Sequence, residues 1–302
     1  MVCTDAVAIA VLLIVLVAIY IFLLHKDHKN QDETLACSKV YLIIIFVACV
    51  MSIYLFTDYI LNGDDTLFHL NRIEGIKSGL LAGQFPVRIH TNTLDGFGYG
   101  VSLFYPELFF YIPAILRILG VSLVVAVKIY LFLINIVTGF TMYLAANRIF
   151  QKKEIGLLAS ILYLTALHRL GDGYYVGAYA RMTAMAFLPV LLLGAYEILM
   201  GNEKKWGWAV VGFTCVFQSA ILPAVLSAMY ILIAVIICRK SFFKKDRVVT
   251  AFKAVILTAL INLWFIVPLL YMMSEPISLE GLQHSFLDSL VPLALLFRTT
   301  LE

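Results

Sequence analysis

The chain has 302 residues, 62% of them hydrophobic and 14% charged, with a mean hydropathy of +0.96. Soluble domains run nearer to about 45–50% apolar and 25% charged, so the composition excludes an ordinary soluble enzyme and indicates an integral membrane protein. The apolar runs approach or exceed the roughly 20 residues that a helix needs to cross hydrocarbon, and none alternates like a barrel strand. The fold class expected is all-α, a polytopic membrane helical bundle forming a single membrane domain over residues 1–302. The net charge of +3 says little by itself, because in membranes the placement of Lys and Arg matters more than their sum. No nucleic-acid partner is expected. Cys3, Cys37, Cys49, Cys215 and Cys238 lie far apart without a CxxC pair, so neither a disulfide framework nor a zinc site is expected.

The N-terminus, MVCTDAVAIAVLLIVLVAIY, lacks the basic start of a secretory signal and reads as a retained helix. In chain order, hydropathy predicts about eight spans, near residues 6–24, 40–57, 123–147, 155–170, 185–200, 207–220, 221–238 and 251–273. Lys26, Lys29 and Lys39 then share one side with Arg148, Lys152 and Lys153, with Lys204 and Lys205, and with the bases from Arg239 to Lys253. The positive-inside rule makes that side cytoplasmic and both termini external. Residues 207–238 are read as two helices, since Pro223 and the polar Gln218-Ser219 suit a break or hairpin. Residues 106–120, apolar but short and holding Pro113 and Arg117, are read as an interfacial helix within a large external loop, 58–122. A second external loop covers 168–184. The chain ends in LLFRTTLE, inside an apolar stretch that begins near Leu290, and this ending reads as a truncation.

Polar chemistry concentrates at Gly63-Asp64-Asp65. Asp65, His69 and Arg72 stand at i, i+4 and i+7 and so share one face of a predicted surface helix, most of whose remainder is apolar. Two readings stand at this point. The acids are helix caps worth about 1–2 kcal/mol together, or they carry chemistry. His69 and Arg72 are either interfacial snorkellers and ion-pair partners or ligand contacts. Arg88, Arg169 and Arg181 either touch lipid headgroups or bind a substrate anion.

The stretches GDDTLFHLNRIEGIKSGLLAGQFPVRI and GYGVSLFYPELFFYIPAILRILGVS, with HRLGDGYYVGAYARMTAMAFLP, resemble a bacterial family of multi-span membrane proteins labelled 6-pyruvoyl-tetrahydropterin synthase-related. That family is similar to GT-C glycosyltransferases, and the likeness runs from about Thr57 to Pro189. More distantly, the layout is similar to lipid A aminoarabinose transferases and protein O-mannosyltransferases. The matching features here are Asp64-Asp65, Gly83, Phe85-Pro86 and the segment from Tyr105 to Tyr111. Span 6–24 has no counterpart before the first GT-C helix.

The resemblance implies transfer of a sugar from a polyprenyl-phosphate donor, among membrane lipids, to an acceptor outside a bacterial plasma membrane. It implies Asp65 as general base, with Asp64 the alternative. It implies Arg88 and Arg181 on the departing phosphate, with Arg72, His69 and Arg169 behind them, and a tyrosine such as Tyr105 stacking on sugar. A divalent metal bridging Asp64 or Asp65 to the phosphate is an option the relatives offer, although the sequence does not supply enough convergent acids to assign one. A transporter or lipid flippase, or a noncatalytic membrane scaffold, are the other readings. Transport asks for ionisable residues inside spans, and Lys128 and Glu197 are the few in or near predicted ones.

Overall fold

Where the apolar run is unbroken the chain builds long helices, because in hydrocarbon every backbone N–H and C=O needs an internal partner. The computed structural model describes residues 37–274. The chain divides into two compact units, Met1–Asp32 with Leu270–Glu302, and Glu33–Leu269; the contacts given below lie within the second. The expected span 6–24 and the apolar stretch from Leu290 lie outside the described residues.

The helices are α1 (Cys37–Met51), α2 (Thr66–Leu81), α3 (Tyr111–Ile118), α4 (Leu123–Phe150), α5 (Lys153–Leu164), α6 (Leu167–Gly171), α7 (Tyr179–Leu199), α8 (Gly207–Ser219), α9 (Ile221–Ile237), α10 (Arg239–Phe242) and α11 (Lys245–Ser274). The described residues form no strand, only one isolated antiparallel bridge between His90 and Tyr99. Three of these helices, α4, α7 and α11, are long and apolar enough to cross a membrane. Several bounds differ from those expected. The first described helix stops at Met51, α5 stops at Leu164 where 170 was expected, and α7 begins at Tyr179 rather than 185. The last two shifts share a cause: residues 167–176 are a short helix running into a π-turn, wound structure that polar sequence hides.

Side-chain contacts fix the direction of each helix. Along α1 and α4 the pairs run Tyr41 with Tyr143, Ser52 with Asn135 and Phe56 with Phe132, so the two are antiparallel. Ser160 of α5 donates to the Gly139 carbonyl, and α7 runs parallel to α4 through Tyr130 with Thr183 and Arg148 with Glu197. The backbones of α7 and α8 come so close that a Cβ on Gly194 would meet Ala209 and one on Gly212 would meet Leu191. Chain direction reverses at the extended Ala220, and α9 returns to the end where Ser241 donates to the Leu199 carbonyl. From there Arg247 binds the carbonyls of Ile198 and Gly201, and α11 climbs until Asn262 accepts from Gln218. One end therefore gathers Arg148, Lys152, Lys153, Lys204, Lys205 and the bases from Arg239 to Arg247. The other carries Asp64, Asp65 and the two long connections. With 13 residues, α8 rises only about 20 Å, and the turn at Leu108–Phe110 sits over its polar end, where Glu107, Phe110, Gln218 and Ser219 line a common recess.

Prolines inside α7 and α11 are tolerated by the same accounting. Pro189 has no N–H for the Met185 carbonyl, which instead accepts the Tyr163 hydroxyl at 2.8 Å, while the Ala186 carbonyl accepts Thr141 at 2.6 Å. Pro268 likewise frees the Trp264 carbonyl, and the Arg88 guanidinium donates to it while lying over the Trp264 ring. Replacing Tyr163 with Phe is expected to cost about 1 kcal/mol in this background. The cost should nearly vanish when Pro189→Ala restores the backbone donor, a double-mutant cycle readable from denaturant unfolding in detergent.

Candidate functional site

The acidic helix start is held by backbone, and its carboxylates are left over. Asp65 occupies the N-cap position of α2 in a helical conformation, and its side chain makes no capping bond. Thr66 ties down the turn before the helix instead: its Oγ1 accepts from the Gly63 N–H at 2.9 Å and donates to the Leu61 carbonyl at 3.2 Å. The capping reading is therefore not met, since the carboxylate at the N-cap position makes no bond to the first turn of α2. Neither the Asp64 nor the Asp65 carboxylate has a hydrogen bond or ion pair among the described residues, Asp64 being exposed and Asp65 half-buried.

The second loop comes to this point. The Asp65 N–H donates to the Val176 carbonyl at 2.8 Å. Glycine permits the approach, since a Cβ on Gly63 would strike the Tyr175 and Val176 backbone and one on Gly177, at φ +71°, would run into Thr66. Loop residues 172–176 wind as a π-turn, a feature often found at functional sites. Just beyond it, Arg181 grips the buried Asp172 with both arms, Nη2 to Oδ1 at 2.7 Å and Nε to Oδ2 at 2.9 Å, while 40% of its own side chain stays exposed. A small recess opens beside Leu61, lined by Tyr54, Tyr59, Lys128 and Tyr179 among others.

One turn into α2, His69 is 4% exposed, its ring between those of Phe110 and Tyr179. Burial, then the charges of Arg72 and Arg181, push its pKa down to about 3. It is a neutral imidazole at working pH. Behind it Arg72, 1% exposed, is fully engaged: Nε donates to Glu107 Oε1 at 3.0 Å, Nη2 to the Pro106 carbonyl at 2.8 Å and Nη1 faces His69 Nδ1 at 3.4 Å. Its guanidinium also lies 4.7 Å from the Phe110 ring centre and 5.4 Å from that of Tyr105. Glu107 carries a second set of partners on Oε2, the Ser102 hydroxyl and through it His90 Nε2 at 2.8 Å from Ser102 Oγ. Gly75 makes room for the His90 ring, where a Cβ would collide.

The expected residues thus separate. Asp64, Asp65 and His69 lie along the start of α2, against the loop that leads to Arg181 through Val176 and Tyr179, and Tyr105, half exposed, packs on Phe68 beside His69. Arg72 is in place but enclosed, its charge taken by Glu107, so it has no free face for a phosphate. Arg88 is drawn away to the Trp264 carbonyl on α11. Arg169, 3% exposed, points into the bundle to Asn135 at 2.7 Å and the Met182 carbonyl at 3.1 Å. Sequence reasoning missed Glu107 and Asp172. Asp172 is the sole acid in its loop, Glu107 the sole acid between Gly96 and Ser122, and each faces an arginine that needs a partner; that imbalance was the available signal. Among the described residues no three His, Cys, Asp or Glu side chains converge as metal ligands. A divalent ion at Asp64 or Asp65 would have to draw its remaining ligands from substrate and solvent.

Removing Glu107 leaves Arg72 as an uncompensated buried cation, so Glu107→Ala is expected to lower stability by about 3–5 kcal/mol. Arg72→Met with Glu107→Leu, which removes both charges, should cost far less than the sum of the single changes in denaturant unfolding. His69 gives a separate acid signature. The unfolded imidazole binds a proton near 6.5 and the folded one only near 3. Stability is therefore complete above about pH 6.5 and declines as the pH falls toward about 3. His69→Gln should flatten that part of the unfolding midpoint against pH.

No curated protein and no solved structure matches this chain. A family model matches residues 103–297, starting later and running further than the likeness read from sequence. It takes in Glu107, Asp172 and Arg181 and begins after Asp64 and Asp65. By that match the chain belongs to the membrane-protein family described as the 6-pyruvoyl-tetrahydropterin synthase related domain.

Proposed function

We propose that the chain is a GT-C-like glycosyltransferase of a bacterial plasma membrane, built on about eight spans. It moves a sugar from a polyprenyl-phosphate donor to an acceptor on the extracytoplasmic side. The observation that carries this reading is the unengaged carboxylate of Asp65 at the junction where Arg181 keeps an exposed guanidinium. In the reaction, the acceptor O–H gives its proton to Asp65 as its oxygen bonds to the anomeric carbon. The bond from that carbon to the phosphate oxygen breaks, and the phosphate leaves with the electron pair. Arg181 holds the charge that gathers there, its planar fork kept in place by Asp172. Asp64 is the alternative base, His69 an uncharged donor toward the phosphate, and Tyr105 an exposed ring at the edge where a sugar would lie. Arg72 supports the site from behind, and Arg88 and Arg169 take no part in transfer. The concentration of bases at the opposite end supports the outward orientation of this one through the positive-inside rule.

A transport reading would rest on Arg169, a buried cation among helices. Its partners are an amide and a carbonyl, an arrangement that supports a fixed brace more than a moving gate. The test is transfer in vesicles by full-length protein supplied with labelled polyprenyl-phosphate hexoses. Asp65→Asn should lower the rate by about 100-fold or more, and Arg181→Ala by a comparable factor. Full transfer by both Asp64→Asn and Asp65→Asn would reject the base assignment, and ion flux without transfer would favour transport.

A further inference from the structure

We infer that Glu107 and Arg72 are positioning residues that lock His69 in the tautomer with Nδ1 bare and Nε2 protonated, so that the site offers a neutral N–H donor next to the Arg181 guanidinium. A guanidinium has donors and no acceptor. Since Arg72 Nη1 faces His69 Nδ1 at 3.4 Å, that nitrogen accepts, and the ring proton of the neutral imidazole sits on Nε2.

Arg72 cannot swing away from this role. Nε and Nη2 are held by Glu107 and the Pro106 carbonyl, and the head group lies against the rings of Phe68, Tyr105 and Phe110. Glu107 in turn is fixed through Ser102 and His90. The imidazole cannot rotate freely either, between Phe110 and Tyr179. Its Nε2 has no protein partner among the described residues and is not among the fully enclosed unpartnered atoms, which leaves it open to a ligand.

The charged and titratable groups around the ring are Arg72 and Asp65 on its own helix, and Arg181 and Tyr179 from α7. Glu107 lies behind Arg72, and Asp172 behind Arg181. Two cations nearby and burial all oppose a second proton. The ring therefore donates one hydrogen bond to an oxyanion across the neutral pH range without adding a charge that would have to be neutralised when the ligand leaves. This rests on the proposed function only for the identity of that oxyanion as a donor phosphate; the tautomer is a property of the resting protein.

The test is ¹⁵N-histidine solid-state NMR of full-length protein in lipid nanodiscs, with the His69 signals assigned by their loss in His69→Gln. The expected spectrum shows one unprotonated Nδ1 and one protonated Nε2, unchanged between about pH 5 and 8. In the Arg72→Met, Glu107→Leu variant, which removes the pair together, His69 should exchange between tautomers or titrate. Protonation of both nitrogens near pH 5, an Nδ1–H tautomer, or an identical His69 signal in the double variant would each overturn the inference. Loss of sugar transfer as a reading would leave this spectrum unchanged, so the two ideas fail separately.

Discussion

A guanidinium taken out of water demands a partner, and the acidic end of this protein is arranged around the demand made by Arg72. Its partner Glu107 comes from a different segment, 35 residues on in sequence. The pair is weak evidence for net stability, because the desolvation of two charges offsets most of their attraction. Its effect is geometric. Glu107 cannot reach Arg72 unless residues 101–110 fold down onto α2 and over the polar end of α8, and Arg72 cannot reach Glu107 unless α2 turns its His69 edge inward. Ser102 and His90 extend the same constraint to the extended stretch after α2, and Gly75 gives it space. The half-buried Asp65 and the partly exposed Arg181 are then what remains after the interior has taken the other charges.

The same physics sorts the arginines. In a medium poor in water, a backbone carbonyl freed by proline competes for side-chain donors with any ligand. Pro268 creates such a carbonyl at Trp264, and Arg88 is captured by it; Pro189 creates another, taken by Tyr163. Arg169 closes on a helix carbonyl and Asn135. Arg181, like Arg148 with Glu197 at the opposite end, is paired in a way that leaves its guanidinium partly outside, because its acid, Asp172, is buried in the π-turn and holds it in place. A cation tied to a buried acid keeps its orientation while its outer face stays available, which suits an anion that binds and departs.

Much of the architecture was legible as hydropathy. The long apolar runs located α4, α7 and α11, although α7 and α11 each begin six residues earlier than expected, and the polar Gln218-Ser219 marked the reversal between α8 and α9. The i, i+4, i+7 spacing placed Asp65, His69 and Arg72 on one helix edge. What stayed hidden depends on contacts distant in the chain. Nothing local says that the acids stay out of the cap, that Val176 receives the Asp65 N–H, or that Arg88 belongs to α11. The π-turn at 172–176 carries polar and glycine residues that read as loop, and Glu107 looks like an isolated charge until Arg72 is seen to lack a partner.

The central claim is that the start of α2 and the turn before Arg181 form one site. Dipolar electron resonance between nitroxides at positions 62 and 175, in otherwise cysteine-free protein in nanodiscs, measures this directly. The contacts of Gly63 with Tyr175 and of Asp65 with Val176 require a single narrow distribution at the short end of the measurable range. A long or broad distribution would separate the acid from the arginine and contradict the account.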